Sequence, residues 1–177
     1  RIPRSANLKT GKDKFLDNYF LSTNPGVKLT DFVVENEDVD TLPLLQSFSF
    51  TRPTGGSGDY RYFTLNMFSG LEKNQFIAQT RISDVFFGAN QFYYISGSFT
   101  LPDNYSFDVL PENIKMITPD TSIIATRRMN VAGNELGALV TVEFKKPVFT
   151  PEEYPDMMEF YKKLFDMLNE QIVIKKK

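Results

Sequence analysis

Leu136-Gly137-Ala138-Leu139-Val140-Thr141-Val142-Glu143-Phe144 is the stretch whose reading decides the fold. Leu136, Ala138, Val140, Val142 and Phe144 fall on one side of a period-2 alternation, so the segment reads as a strand with one buried face. Ser122–Val131 precedes it across Ala132-Gly133-Asn134, a turn composition that makes the two segments an antiparallel hairpin. Working outward, Gln46–Arg52 alternates with Phe48 and Phe50 on one face. Tyr60–Asn66 is expected to pair with it across the Pro53–Asp59 loop. Arg81–Phe87 and Phe92–Leu101 read as a second hairpin around Gly88-Ala89-Asn90, with Tyr93, Ile95, Phe99 and Leu101 sharing a face. Val27–Glu35, Ser106–Leu110 and Gln171–Ile174 complete the strands.

Helical spacing returns only near the two ends. Lys12–Leu21 places Phe15, Leu16, Tyr19 and Phe20 on one side before Asn24-Pro25-Gly26 stops the helix. Thr150-Pro151-Glu152-Glu153 carries a capping-box pattern, although Pro155 would let the regular helix start later. Tyr154, Met157, Met158, Tyr161, Leu164, Phe165 and Leu168 form its apolar stripe. The sequence therefore predicts a mainly β, sandwich-like fold of antiparallel hairpins, with a short N-terminal helix and one C-terminal amphipathic helix. Residues 1–24 read as a helical tether and residues 25–177 as a single domain.

Composition narrows the chemistry. The 177 residues include no Cys and no His, which removes thiolate nucleophiles, disulfides, imidazole bases and the usual zinc ligands. No cofactor is indicated. The 20 basic and 22 acidic side chains are nearly balanced, which argues against a nucleic-acid partner. No apolar run approaches the ~20 residues of a membrane span. The chain opens on Arg1-Ile2-Pro3-Arg4 and reads as a segment of a longer precursor.

Four groups of residues invite functional readings. Tyr60, Tyr62, Phe92 and Tyr94 could form an aromatic platform for a glycan or peptide, or a contact to a neighbouring domain. Glu35, Glu37, Asp38 and Asp40 place four carboxylates in one loop, a weak calcium candidate without EF-hand spacing. Asp103, Asp108, Glu112 and Asp120 lie near strand ends, where two carboxylates could run glycoside hydrolysis. Nothing in their spacing singles out a pair. Pro53–Asp59 lacks the Gly-Lys-Ser/Thr ending of a phosphate loop and reads as a flexible hairpin loop. Arg127 and Arg128 project to opposite faces of a strand, and Lys175-Lys176-Lys177 reads as a solvated tail.

Thr150-Pro151-Glu152-Glu153-Tyr154-Pro155, the helix through Phe160-Tyr161, and Asn169–Lys175 together resemble the end of a bacterial protein family. In that family a transglutaminase-like domain precedes a C-terminal β-rich domain of unknown function. Arg81–Gly88 is similar to its Arg-x-x-Pro-Val-Asp-Phe-Gly segment, with Asp84 in place of Pro and Phe86 in place of Asp. Leu101-Pro102-Asp103-Asn104-Tyr105 and Leu110-Pro111 resemble its paired Leu-Pro turns. The resemblance implies a non-catalytic accessory domain that packs on an upstream domain of the same polypeptide. It further implies an exported protein, periplasmic or at the cell surface. A glycan- or peptide-binding module is the alternative function, and a carboxylate hydrolase the remote one.

Overall fold

The computed structural model describes residues 14, 21–22, 26–39, 41–64 and 74–177. Apart from Lys14 and Leu21, the expected Lys12–Leu21 helix lies outside the described residues. The chain divides into two compact units, Arg1–Thr54 and Gly55–Lys177.

In the first unit β1 (Lys28–Glu35) pairs antiparallel with β2 (Leu45–Thr51). The continuous run Phe32-Val33-Val34 is explained by a register break between Thr30 and Val33, where Asp31 takes a left-handed φ of 55°. The break turns Phe32 into the core, where its ring lies 6.4 Å from that of Phe48.

The second unit holds two four-stranded antiparallel sheets. The larger has the order β6 (Gln91–Thr100), β10 (Glu135–Phe144), β9 (Ile123–Ala132), β8 (Ile114–Ile117). Its centre is the expected β9–β10 hairpin, turned at Gly133 with φ 64°. Leu136, Ala138, Val140, Val142 and Phe144 are all buried. The smaller sheet has the order β3 (Gly55–Ser57), β4 (Tyr60–Thr64), β12 (Gln171–Lys176), β7 (Tyr105–Val109). A two-stranded pair of β5 (Val85–Phe86) and β11 (Val148–Phe149) completes the strands among the described residues.

Two expected hairpins are corrected. β4 pairs with β3 and β12, while β2 pairs with β1. Three of the seven residues of the supposed flexible loop form strand β3, turned back through Gly58 at φ 57°. A side chain at Gly56 would meet the Tyr60 carbonyl oxygen at 2.3 Å, so the tight hairpin requires glycine there. Likewise β5 pairs with β11, a pairing that the Phe87 amide extends by donating to the Pro147 carbonyl at 2.8 Å, and β6 pairs with β10. The terminal lysines are not a free tail. Lys175 and Lys176 belong to β12, and the Lys177 amide donates to the Asn104 carbonyl.

Helix α1 (Tyr154–Asn169) covers one half of the larger sheet's inner face. It starts after Glu153, because Pro155 has no N–H to continue the turn backward and is tolerated only in the first turn. The Glu153 carboxylate still accepts the Thr150 amide at 3.0 Å, so half of the capping box forms. The buried stripe is Tyr154, Met157, Phe160, Leu164, Met167 and Leu168; Phe160 and Met167 replace Met158, Tyr161 and Phe165, which are half-buried. The other half of the inner face, with Leu136, Phe99 and Met129, packs on Phe63, Ile172 and Ile174 of the smaller sheet.

Arg127 occupies the seam between these two core regions. It follows Ile123 and Ala125 on the inward side of β9 and is 3% exposed. Its guanidinium donates twice to the Glu112 carbonyl, once to the Met167 carbonyl at 2.7 Å and once to the Glu170 carboxylate at 2.8 Å. Met167 lies in the last turn of α1, whose carbonyls lack helical partners, and the positive charge also suits the helix C-terminus.

Candidate functional site

Among the described residues of the second unit, no strand or helix packs on the larger sheet's outer face at Phe92 and Tyr94. Phe92 and Tyr94 point outward from β6 and are 65% and 62% exposed. Register places Glu143 beside Phe92, Thr141 beside Tyr94 and Leu139 beside Ser96 on β10, then Ile124, Thr126 and Arg128 on β9. The surface carries aromatic, hydroxyl, aliphatic and charged groups side by side. The two best-formed concavities are small. One of about 210 Å³ lies between Asn90-Gln91-Phe92 and Glu143-Phe144-Lys145, and the other is about 50 Å³. Drug-sized ligand pockets measure roughly 300–1,000 Å³.

Tyr60 and Tyr62 lie on the other sheet. They share the outer side of β4, opposite Lys175 and Val173, and each is 43% exposed. Lys175 Nζ sits 5.3 Å from the Tyr60 ring centre, and the Tyr62 ring lies over Gly55. The four aromatics therefore form two separate pairs, not one platform.

A polar cluster gathers where β8, β9, β11 and α1 meet. Lys146 Nζ donates to Asp120 at 2.8 Å and to Glu153 at 2.6 Å, and lies 4.7 Å from the Phe149 ring centre. The Ser122 hydroxyl and amide both donate to Asp120, at 2.7 and 3.1 Å. These bonds hold the turn in which Thr121, a β-branched residue, takes a left-handed φ of 59°. Partial burial pushes the Asp120 pKa up, but the bonds from Lys146, Ser122 and Thr118 outweigh it and hold the carboxyl well below the usual range. For Lys146, burial acts downward and its two carboxylates prevail, raising it. Both shifts lock the ionised forms. General-acid work by Asp120, or attack of a neutral Lys146 amine on a carboxyl, would need the opposite. The ion pairs latch the Asp120 turn to the start of α1.

The latch sets an acid dependence. Carboxylates whose pKa is lowered by folding stabilise above their unfolded values and lose that contribution as pH falls. Bonding to Lys146, then to the Thr150 amide, lowers Glu153 too, so both acids act in the same direction. Lys146→Met should flatten the fall in melting temperature between about pH 5 and pH 2 relative to the parent. Parallel curves for the two proteins would show that the latch carries no linked protons.

The comparisons with known proteins bear on this unit. Residues 59–174 match the model of a domain of unknown function with solved structure, DUF3858. The chain belongs to the DUF3858 family. Its DUF3858 region holds both aromatic pairs, Arg127 and the latch. A crystal structure of a "putative protease" from Parabacteroides distasonis ATCC 8503 is similar in fold, with a TM-score of 0.54 and 16% identity. The likeness covers 66% of this chain and 23% of that one, so the chain spans less than a quarter of that protein. No curated protein matches the chain.

Glu35, Glu37, Asp38 and Asp40 precede the DUF3858 match, and Asp40 is outside the described residues. Among the described residues no three acidic side chains are grouped to hold a metal. Asp103, Asp108 and Glu112 are solvent-exposed on the DUF3858 surface, and Asp120 engages Lys146 and Ser122. Among the described residues no helix is long and apolar enough to cross a membrane. Sequence analysis places Arg127 and Arg128 on opposite faces of a strand, as the structure does, but it does not foresee the buried Arg127 network and misses Lys146. Arg127 stood on the same alternation phase as buried Ile123 and Ala125, which was the available signal. Lys146 left none, since Asp120 lies 26 positions away.

Proposed function

We propose that this DUF3858 chain is a non-catalytic accessory module. It docks through the outer face of its larger sheet on a preceding transglutaminase-like domain of the same polypeptide, in an exported bacterial protein facing the periplasm or cell exterior. The exposed Phe92–Tyr94 face carries the reading, because a docking surface is broad and partly apolar while a ligand site is a sizeable concavity, and the one beside Phe92 is small. Support also comes from the Parabacteroides protein, in which this fold occupies a minor part of a long chain. The resemblance of the Thr150–Pro155 and Asn169–Lys175 segments supplies the transglutaminase-like partner and the exported setting.

An intrachain contact of about 600–1,500 Å² fits such a face. At a local concentration about 100-fold above its dissociation constant, docking adds ~2.7 kcal/mol, or roughly 5–10 °C for a chain of this size. The chain joined to its preceding domain should melt higher by that amount than the chain alone. Phe92→Ser with Tyr94→Ser should erase the gain. Equal melting of joined and separate chains, or hydrolysis of peptide or glycan by the pure chain, would overturn the proposal.

Tyr60 and Tyr62 favour a second reading. Two rings on alternate positions of one strand, with Lys175 at the rim, match the stacking face that a glycan module presents. Saturable glycan binding abolished by Tyr62→Ala would support that reading.

A further inference from the structure

Between buried Phe76 and buried Val85 the chain runs outside every helix and strand, and all of residues 77–84 are exposed. Ile82 is fully open to solvent. The backbone is unpaired as well. The Ala78 carbonyl accepts the Tyr154 hydroxyl at 2.8 Å, and beyond it residues 79–84 make no hydrogen bond among the described residues. The Arg81 guanidinium carbon lies 5.6 Å from the Tyr154 ring centre, a weak contact at an exposed site. No proline interrupts residues 76–84. Both ends of the run are fixed. The Phe76 ring packs on Tyr161 at 4.5 Å and on Tyr154 and Phe87, while Val85 and Phe86 pair with β11.

We infer that the Arg81–Ile82 bond is a cleavage site for an arginine-specific endopeptidase, and that the chain cut there stays folded. Such an enzyme binds its substrate as an extended strand through main-chain hydrogen bonds and holds the arginine side chain against a pocket carboxylate. Residues 79–84 offer that strand with its donors and acceptors unspent. Exposed, unpaired backbone is where nicking concentrates. The other basic positions of residues 74–177 are shielded. Those of β8, β9, α1 and β12 lie inside paired strands or the helix. The Lys145 amide donates to the Ser122 carbonyl, and Lys146 is held by Asp120 and Glu153 ahead of Pro147. In the cut itself, water adds across the amide bond and leaves a carboxylate on Arg81 and an ammonium on Ile82. The upstream piece then remains attached through the pairing of β4 with β12, through Phe63 against Ile172 and Ile174, and through Phe76. Processing opens the chain without releasing what precedes Ile82.

The inference needs neither the docking face nor the preceding domain. Limited digestion of the folded chain by trypsin, read by intact mass, should make its first cut within residues 74–177 at Arg81–Ile82. The two pieces should migrate together on native size exclusion. With no Cys to join them, they should separate in denaturant. Arg81→Gln should abolish the cut and leave the melting curve nearly unchanged. Ile82→Pro should abolish it with the arginine still in place, because the ring does not fit the extended binding mode. The amide hydrogen it removes bonds to nothing among the described residues. A cut made through unfolding would run about 30-fold faster or more in Leu164→Ala, as the unfolded fraction rises by that factor, whereas a cut on the folded chain keeps its rate. A first cut elsewhere in residues 74–177 overturns the inference. So does a cut whose rate follows stability, or a pair of pieces that falls apart without denaturant.

Discussion

Arg127→Ala is expected to destabilise the protein by about 3–5 kcal/mol, a large fraction of the ~5–15 kcal/mol that holds an ordinary domain folded. The change removes four hydrogen bonds at once and strands the Glu112 and Met167 carbonyls, which water reaches poorly once the guanidinium has gone. Glu170 is a lesser member of the network. Its side chain is 51% exposed, so Glu170→Gln should cost under about 1 kcal/mol. Urea unfolding of the two variants measures the contrast, read as a shift in midpoint at constant slope. Similar small losses at both positions would mean that the guanidinium does not hold the helix end to the sheets.

Leu164→Ala should cost about 2–5 kcal/mol, since its side chain is 1% exposed beneath α1 and the cavity left behind would be lined by the β9–β10 core. Lys162→Ala, on the exposed side of the same helix, should change stability by less than about 0.5 kcal/mol. Calorimetry on the pair separates a helix that belongs to the core from one loosely laid upon it. Equal effects would refute the packing described.

Legibility followed the range of the interactions. Leu136–Phe144 was readable because burial of one strand face writes its period directly into neighbouring residues. The outward placement of Phe92 and Tyr94 followed from the same rule. Strand partners were harder. The sequence suggested joining neighbours, yet β5 finds β11 and β4 finds β12, pairings set by core packing far along the chain. Three-residue β3, two-residue β11 and four-residue β8 are too short to show any period. Of the polar groups, Glu153 was visible through its local bond to Thr150, while Lys146 and Asp120 meet only after folding.

The order of strands in the smaller sheet has a consequence for how the molecule is made. β12 lies between β4 and β7 but is translated after both. At roughly 5–20 residues per second, β4 emerges on the order of ten seconds before its central partner exists. During that interval Phe63 and Phe107 have no Ile172 and Ile174 to pack against. A nascent chain in that condition shows apolar side chains and unpaired strand edges to its surroundings, the surfaces that holding chaperones bind. Completion of β12 withdraws them together, so the sheet closes as a late, single event in biosynthesis and not progressively from the N-terminal side.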